Sequence, residues 1–298
     1  MNDVNRRQLV QPTVLAGTDD APSSGSAAES SAAAPGVTVA EENISAFVPE
    51  SAAPKGDQTI ALVTGATRGI GLETARQLAA KGVFVLMGAR DLIVGESRAA
   101  ALRSTGFNVH AIELDLDNLA TVERAASMIE VRYGRLDILV NNAGISMIGE
   151  GDGLPGVVSL DAIRRTFNTN FVGTVLVTQK MLQLLRKSPR GRIVNVSSTV
   201  GSLGVASDEN SKSAHHAFLA YAASKASLNM LTILLAHELG GTAIKVNSVC
   251  PGYVMTDMNH GNGDLTVEQG AEPSVRYALL DDDGPTGGFF AADGPRLW

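Results

Sequence analysis

Thr64-Gly65-Ala66-Thr67-Arg68-Gly69-Ile70-Gly71, at positions 64–71, follows a short β-branched run and precedes a segment with helical spacing. A strand, a glycine-rich turn and a helix in this order are typical of the first unit of a nucleotide-binding α/β fold. The glycines allow a tight turn and a close approach of the backbone to a pyrophosphate, and the helix N-terminus attracts phosphate. The spacing is G-x-x-x-G-x-G, so an ordinary glycine-rich turn is the alternative. A Walker loop is excluded because no lysine follows the last glycine.

Downstream, short apolar runs alternate with longer segments of helical periodicity. The runs are rich in β-branched residues and apolar on both faces, as are the strands of a parallel sheet covered by helices. The predicted strands are 60–63, 83–87, 109–114, 138–140, 193–196 and 244–249. The predicted helices include 72–81, 119–133, 161–186 and 217–239. This alternation predicts an α/β fold, with a single Rossmann-type doubly wound parallel sheet flanked by helices, over residues 56–298.

Residues 1–55 differ in composition from the rest of the chain. Ala, Ser, Pro, Gly and Thr make up 29 of these 55 residues. Such a stretch buries too little apolar surface to offset the entropy of ordering it, so we expect a low-complexity, disordered tail. Arg6-Arg7 do not open an export signal because a short acidic stretch follows them, and the acidic residues of the tail do not suit an organelle-targeting peptide. We therefore expect a cytoplasmic protein.

Charge and cysteine content exclude several classes of function. The chain has 298 residues, with 24 Lys and Arg against 31 Asp and Glu, a net charge of −7 and a sequence pI of about 5.3. Nucleic-acid binders carry a basic patch, so we expect no nucleic-acid partner. No uninterrupted apolar run reaches the roughly 18 residues that a membrane helix needs, so we expect no membrane partner. A single cysteine, Cys250, excludes an internal disulfide framework and favours a reducing compartment.

The second predicted strand leads into Gly88-Ala89-Arg90-Asp91, about 20 residues after the glycine loop, where the adenosine ribose of a dinucleotide lies. A guanidinium here binds a 2′-phosphate through a bidentate fork, whereas a carboxylate accepts hydrogen bonds from the ribose hydroxyls and repels the phosphate. Arg90 occupies this position, and Arg68 could reach the same phosphate. Asp91 would be the ribose acceptor if the strand ended one residue later, and a solvated turn pair is the remaining alternative. We expect NADP(H) rather than NAD(H) as the cofactor.

Tyr221 and Lys225 are four residues apart in a helix-compatible segment and therefore share one helix face. A nearby ammonium group stabilises a phenolate and lowers the pKa of the tyrosine, which makes it a usable general acid for a carbonyl oxygen. Such a pair also arises by chance, as a surface tyrosine with a solvated lysine, so the context decides. Ser198 follows a predicted strand at the edge where open α/β sheets bind ligands, and it can donate a hydrogen bond to a carbonyl. Small residues in the segment 141–144 would let a cofactor pass close to the backbone.

Taken in order, these motifs are similar to those of the short-chain dehydrogenase/reductase family. They are TGATRGIG at 64–71, Asp115 after the third strand, NNAG at 141–144, Asn170 in NTNFVG, Ser198 in VNVSS, Tyr221-x-x-x-Lys225, and Pro251-Gly252 with Thr256. The resemblance covers roughly residues 58–298. GPTGGFFAADG at 284–294 and the ARD turn at 89–91 resemble the carbonyl-reductase branch of the family, which mostly uses NADPH.

The resemblance implies a catalytic role for four residues. Tyr221 would protonate the carbonyl oxygen of the substrate, and Ser198 would orient and polarise that carbonyl. Lys225 would hold the nicotinamide ribose and lower the pKa of Tyr221. Asn170 would anchor a water that passes protons onward from Lys225.

The resemblance also implies a set of cofactor contacts. Asp115 would bind the adenine, the segment 142–144 would line the adenosine ribose, Val254 would contact the carboxamide through its backbone, and Thr256 would bind the carboxamide or a phosphate. The full implied set is Gly65, Thr67, Arg68, Gly69, Ile70, Gly71, Arg90, Asp115, Leu116, Asn142, Ala143, Gly144, Tyr221, Lys225, Pro251, Gly252, Val254 and Thr256.

Ser198 and Tyr221 are further apart than in the usual tetrameric members of the family, with a polar insertion at 206–216. In the carbonyl-reductase branch, a larger insertion at this place covers the helix that would otherwise pair subunits. We therefore expect a monomer or a dimer rather than a tetramer, although the insertion could instead line the rim of the substrate cleft. His215 and His216 lack neighbours at metal-ligand spacing apart from two acidic residues, so we expect no metal site.

The sequence predicts an NADPH-dependent oxidoreductase that reduces an aldehyde, ketone or quinone to an alcohol by hydride transfer, with Tyr221 as the general acid. The alternatives are a 3-oxoacyl thioester reductase, an NAD-dependent alcohol dehydrogenase and a catalytically silent nucleotide-binding sensor. A thioester reductase would carry a basic patch for an acidic carrier, which the sequence does not clearly show, and a sensor has no need of the complete catalytic set. Segments 145–155 and 258–265 are expected to flank the cleft for a small-molecule substrate.

Overall fold

In a computed structural model of the chain, residues 52–211 and 218–298 are described, and their strands form one sheet. The strands are β1 (Ile60–Thr64), β2 (Phe84–Ala89), β3 (Val109–Glu113), β4 (Ile138–Asn141), β5 (Arg192–Val196), β6 (Lys245–Val249), β7 (Phe289–Ala291) and β8 (Gly294–Pro295). Their order is β3-β2-β1-β4-β5-β6-β7-β8, with β1 to β7 parallel and β8 antiparallel to β7. The chain runs outward from β1 in both directions, which confirms the predicted doubly wound α/β sheet.

Helices follow most strands and cover both faces of the sheet. They are α1 (Gly69–Ala80), α2 (Leu92–Arg103), α3 (Leu119–Tyr133), α4 (Leu160–Phe167), α5 (Thr174–Arg186), α6 (Leu203–Ala206), α7 (Leu219–Glu238) and α8 (Val267–Ala278). The predicted helix 161–186 is interrupted by a π-helical turn, Asn168–Gly173, between α4 and α5. α2, α8, β7 and β8 were not among the predicted elements.

Strands β1, β2, β4 and β5 are buried along their whole length, which explains their mostly apolar pattern. In β1, Ile60 and Leu62 pack into one hydrophobic cluster, and Ala61 and Val63 pack into the cluster on the opposite face. All four side chains are at most 1% exposed. Alternate residues of a strand point to opposite faces, so one short strand supplies both halves of the core.

A row of buried polar side chains crosses the sheet beneath α5 and α7. Asn141 Nδ2 donates to Asn195 Oδ1 at 2.8 Å and to Thr178 Oγ1 at 3.0 Å. Asn195 Nδ2 donates to Thr232 Oγ1, and the hydroxyls of Thr232 and Ser248 lie 2.8 Å apart. The row therefore joins β4, β5 and β6 to the two helices that cover them.

Packed structure begins before position 56. Ala52 is buried, and Tyr133 Oη donates to its carbonyl oxygen at 3.2 Å. Asn108 Nδ2 donates to the carbonyl oxygen of Ala53 at 3.2 Å. The remainder of the predicted tail, residues 1–51, lies outside the described residues.

Candidate active site

The residues singled out as catalytic meet at the carboxyl edge of the sheet. Ser198 follows β5, Tyr221 and Lys225 lie near the start of α7, and Asn170 lies in the π-helical turn. The glycine loop follows β1 at the same edge, because β1 and β5 are parallel strands of one sheet. This edge, where the strand order reverses, is where open α/β sheets bind ligands.

Tyr221 is the third residue of α7, and Lys225 follows one helical turn later. Lys225 Nζ lies 5.6 Å from the centroid of the Tyr221 ring and donates to the carbonyl oxygen of Val196 at 2.8 Å. The Ser198 hydroxyl lies close enough to Tyr221 to affect the pKa of the phenol. Tyr221 and Ser198 are half-buried as whole residues, whereas Lys225 is buried.

Burial dominates the acid–base properties of this pair. The pKa of Tyr221 is raised to about 12, mainly by burial and in part by Cys250, while the nearby Ser198 hydroxyl acts to lower it. Burial lowers the pKa of Lys225 to about 8, against an opposing effect of Cys250. The expected lowering of the Tyr221 pKa is wrong for this structure, because burial removes hydration from the phenolate. At neutral pH Tyr221 is therefore a phenol with a proton to donate, and Lys225 is charged.

Asn170 is buried and braces the start of the loop that follows the 141–144 segment. Its Oδ1 accepts from Ile145 N at 2.7 Å, and its Nδ2 donates to Ile145 O at 2.9 Å and to Ser224 Oγ at 3.1 Å. A Cβ at Gly144 would lie 3.2 Å from Asn170 Oδ1 and 3.5 Å from Lys225 Nζ. The side chain thus links this loop to α7, and its expected role in anchoring a water stays a prediction.

The glycine loop is held by the segment that follows β4. Asn142 Nδ2 donates to Thr64 O at 2.9 Å and to Gly65 O at 3.3 Å. A Cβ at Gly65, whose φ is +63°, would lie 2.9 Å from Ala143 Cα, and a Cβ at Gly71 would overlap Asn142 Nδ2. Both glycines are therefore required by close approach, as in a dinucleotide-binding turn. The Asn142 side chain therefore supports this loop, and the expected place of the 142–144 segment along the ribose stays a prediction.

The N-terminus of α1 is open toward the loop that follows β6. Arg68 precedes α1 in an extended conformation and no side chain caps this helix end. A Cβ at Gly69 would lie 3.6 Å from Thr256 Cγ2, and Arg68 Nη1 lies 3.4 Å from Asp257 Oδ2 in an exposed ion pair. Free helix N–H groups beside a close-packed glycine turn fit the pyrophosphate of a dinucleotide. Thr67 and Ile70 lie within the same loop and helix start.

Arg90 is the first residue after β2 and is exposed. Asp91 caps α2, because its Oδ1 accepts from Ile93 N at 2.9 Å and from Val94 N at 3.1 Å. Both bonds use Oδ1, and they hold the carboxylate against the start of α2. The geometry therefore favours Arg90 over Asp91 as the residue that meets the adenosine ribose.

The loop after β3 contacts the π-helical turn. Asp115 Oδ1 accepts from Asp117 N at 3.2 Å, and Leu116 is buried. Asp117 Oδ1 accepts from Asn168 Nδ2 at 2.9 Å and from Thr169 Oγ1 at 3.0 Å. The implied adenine-binding loop is therefore tied to the turn that carries the candidate catalytic asparagine.

Cys250 lies near Tyr221 and is not among the site residues that the sequence predicts. Cys250 is buried, and its Sγ lies 3.1 Å from Thr199 Oγ1. Its effect on the pKa of both Tyr221 and Lys225 shows that it lies close to both. The only sequence feature that points to Cys250 as part of the site is its position directly before Pro251-Gly252.

Segments 145–155 and 258–265, which are predicted to flank the substrate cleft, belong to the loops 145–158, before α4, and 251–265, before α8. Their exposed apolar side chains are Ile148, Leu154, Val157, Tyr253, Met255 and Met258. Met147, in contrast, is buried, and Val254 is buried where it pairs with Leu265. Neither loop contains Lys or Arg, so the surroundings of Tyr221 on this side are apolar and acidic.

Within residues 52–211 and 218–298, no group of three or more His, Cys, Asp and Glu side chains is placed to hold a metal ion. His215 and His216, considered above as metal ligands, lie outside the described residues. The same holds for part of the insertion 206–216, so its effect on subunit pairing stays a prediction.

α7 is the one helix in the described part of the chain that is long and apolar enough to cross a membrane, by length and composition alone. Polar residues interrupt this helix, so the sequence shows no uninterrupted apolar run there. Core helices pass the same test, and α7 packs against the sheet with Asn229 and Thr232 among its buried residues. Asn229 Nδ2 donates to Gly201 O at 3.3 Å.

Comparison with known proteins identifies the family. The sequence model of the short chain dehydrogenases matches residues 59–264. (+)-Neomenthol dehydrogenase from Capsicum annuum is 33% identical, over 77% of this chain and 94% of that protein. A putative ketoacyl reductase of the monensin polyketide synthase from Streptomyces virginiae is 40% identical, over 67% of this chain and 72% of that protein.

A solved structure shows the same arrangement. The NADPH-bound carbonyl reductase from chicken fatty liver superimposes with a TM-score of 0.70 at 28% identity, covering 81% of this chain and 99% of that one. The family match covers most of the chain and includes the glycine loop, Ser198, Tyr221 and Lys225. The chain therefore belongs to the short-chain dehydrogenase family and is an oxidoreductase of that family.

Proposed function

We propose that this protein is an NADPH-dependent carbonyl reductase in which Tyr221 protonates the carbonyl oxygen of an aldehyde, a ketone or a quinone. The observation that carries the proposal is the position of Tyr221, with Lys225 one helical turn away and 5.6 Å from the centroid of its ring, and with the Ser198 hydroxyl nearby. This group lies at the same sheet edge as a glycine loop suited to a pyrophosphate. Relatives that are named as a dehydrogenase and a reductase support the reaction class.

The side chains are arranged for proton donation to a carbonyl that is being reduced. Bound NADPH would supply the hydride. Tyr221 holds its proton at neutral pH, since burial keeps its pKa high, and it would release that proton to the oxygen as negative charge develops there. Ser198 would donate a second hydrogen bond to the same oxygen. Lys225, charged and buried beneath the phenol, would stabilise the phenolate that remains.

The preference for NADPH rests on two guanidinium groups. Arg90 stands directly after β2 and is exposed, while the neighbouring carboxylate of Asp91 is engaged in capping α2. Arg68 lies in the glycine loop, where its partner Asp257 is also exposed. A guanidinium binds a phosphate through paired hydrogen bonds, which would favour the cofactor with a 2′-phosphate.

Initial rates with NADPH and NADH against a panel of aldehydes, ketones and quinones test this function. Tyr221→Phe should lower kcat by about 10²- to 10⁴-fold, the usual contribution of a general acid, and should leave NADPH affinity unchanged. Tyr133→Phe is the matched control, since Tyr133 bonds to Ala52 far from the site and should keep full turnover. Wild-type turnover in Tyr221→Phe would show that another group is the acid.

Reduction of a 3-oxoacyl group is a second candidate, supported by the identity to a putative ketoacyl reductase. The flanking loops lack Lys and Arg, so they offer no charge complement to an acidic carrier. Including acetoacetyl-CoA beside an uncharged ketone in the same panel separates the two candidates. We further propose a cytoplasmic monomer or dimer that acts on a small molecule, which size-exclusion chromatography with light scattering and cell fractionation would test.

A further inference from the structure

The N-terminus of α7, the helix that carries Tyr221, is capped by a distant loop. Asp152 Oδ1 accepts from Ala220 N at 2.9 Å, and Asp152 Oδ2 accepts from Tyr221 N at 3.0 Å. Leu219 N donates to Gly153 O at 3.0 Å. The residue before the helix provides no side-chain cap. The first three N–H groups of α7, which no carbonyl of the helix itself can satisfy, are therefore held by two loop residues.

The loop that carries Asp152 has defined internal bonding. Asp152 N donates to Met147 O at 3.0 Å, and its Oδ1 also accepts from Gly153 N at 2.9 Å. Ser159 N donates to Gly151 O at 2.8 Å, and the Met147 side chain is buried. These bonds fix the carboxylate from both sides of the loop. The bonds within the loop therefore help to hold Asp152 beside the start of α7.

We propose that Asp152 is a positioning residue for proton transfer, which fixes Tyr221 against Ser198 by capping α7 from the loop 145–159. The Tyr221 N–H is itself one of the donors, so loss of the carboxylate releases the reacting residue and not only the helix end. Misplacement of a reacting group by about 1 Å costs about 10²-fold in turnover. The inference rests on the proposed function, because its effect is on proton donation by Tyr221.

Kinetics of three variants test the role. Asp152→Ala should lower kcat by about 10²-fold and leave the KM for NADPH unchanged, since the glycine loop is not touched. Asp152→Asn keeps one acceptor oxygen and should recover a large part of this turnover. Asn118→Ala is the control, because Asn118 caps α3 through a bond to Ala120 N at 3.2 Å and lies in no part of the catalytic group.

The control separates positioning from stability. Both alanine variants should lower Tm by about 2–4 °C, the shift expected for losing a helix cap in a domain of this size. Asn118→Ala should keep wild-type kcat. Equal loss of kcat in the two alanine variants, wild-type kcat in Asp152→Ala, or an Asp152→Asn variant no better than Asp152→Ala would each overturn the proposal.

Hydrogen exchange on the resting protein gives a readout that needs no turnover. The amides of Ala220 and Tyr221 should exchange faster in Asp152→Ala than in the wild type, and should be unchanged in Asn118→Ala. Unchanged protection in Asp152→Ala would refute the cap. If the wild type reduces no carbonyl compound, the proposed function fails while exchange still decides whether Asp152 holds the helix. Asp152→Asn serves for the same measurement if the alanine variant does not fold.

Discussion

Raising the pH should switch off NADPH use at a value set by Lys225 and not by Tyr221. Burial lowers the pKa of Lys225 to about 8, whereas Tyr221 keeps its proton up to about 12. With a pKa near 8, only about one tenth of the Lys225 side chains carry charge at pH 9, and about one hundredth at pH 10. A lysine with its ordinary pKa would be almost fully charged at pH 9. We therefore expect kcat/KM for NADPH to fall about tenfold per pH unit above pH 8.

The assay is an initial-rate series from pH 6 to pH 10 at a saturating concentration of a carbonyl substrate. The pH dependence of kcat/KM for NADPH reports the pKa values of ionising groups in the free enzyme, and the pKa of Lys225 given above applies to the protein without a cofactor. Lys225→Arg supplies a guanidinium that stays charged throughout this range, so the decline above pH 8 should disappear whatever the absolute rate of the variant. A flat wild-type profile through pH 9.5, or the same decline in Lys225→Arg, would refute the assignment.

Three further changes test the cofactor site and the core. Arg90→Ala should raise the KM for NADPH by about 10- to 100-fold, because a hydrogen bond to a charged group is lost, and should leave the KM for NADH unchanged. Equal changes in the two KM values would contradict a contact between Arg90 and the 2′-phosphate. Gly71→Ala places a Cβ against Asn142 Nδ2 and 2.5 Å from Gly65 O. Urea unfolding should therefore show a free energy of unfolding that is lower by about 1–3 kcal/mol. An unchanged urea midpoint would show that the loop relaxes to make room for the methyl group. Burial lowers the pKa of His110 from 6.5 to about 4, so the unfolded chain takes up a proton at a higher pH than the folded protein does. The free energy of unfolding should therefore decrease by up to about 3 kcal/mol as the pH falls from 6.5 to 4. His110→Phe should remove this part of the pH dependence of the unfolding free energy, and an unchanged slope would show that other groups cause it.

The strands of the central sheet could be predicted because burial on both faces leaves a strong pattern. β1, β4 and β5 are short β-branched runs in sequence and buried strands in the structure. α2 was missed because Gly95 interrupts a segment with little difference between its two faces, and α8 because Pro273 lies inside it. β7 is too short to show a period and gains its place only by pairing with β6.

Tyr221 and Lys225 could be predicted as a pair because they are only four residues apart in the sequence. The direction of the Tyr221 pKa could not be predicted, because burial of the phenol depends on the packing of the whole edge. Cys250 and Asp152 reach the site through contacts across long sequence separations, and neither belongs to a motif that distinguishes it from other cysteines and aspartates. The break in the helix that carries Asn170 likewise shows no glycine or proline before the turn.

The amide and hydroxyl side chains that bond across β4, β5 and β6 constrain how these strands can be aligned. If β5 slid by one residue, Asn195 would leave both Asn141 and Thr232 and an apolar neighbour would take its place. Each buried polar atom left without a partner costs about 1–3 kcal/mol, so misaligned pairings are penalised several times over. A sheet whose strands are uniformly apolar has few other means of rejecting a shifted alignment. The same bonds therefore ensure that the strand ends bearing Ser198 and the 141–144 segment arrive at one level.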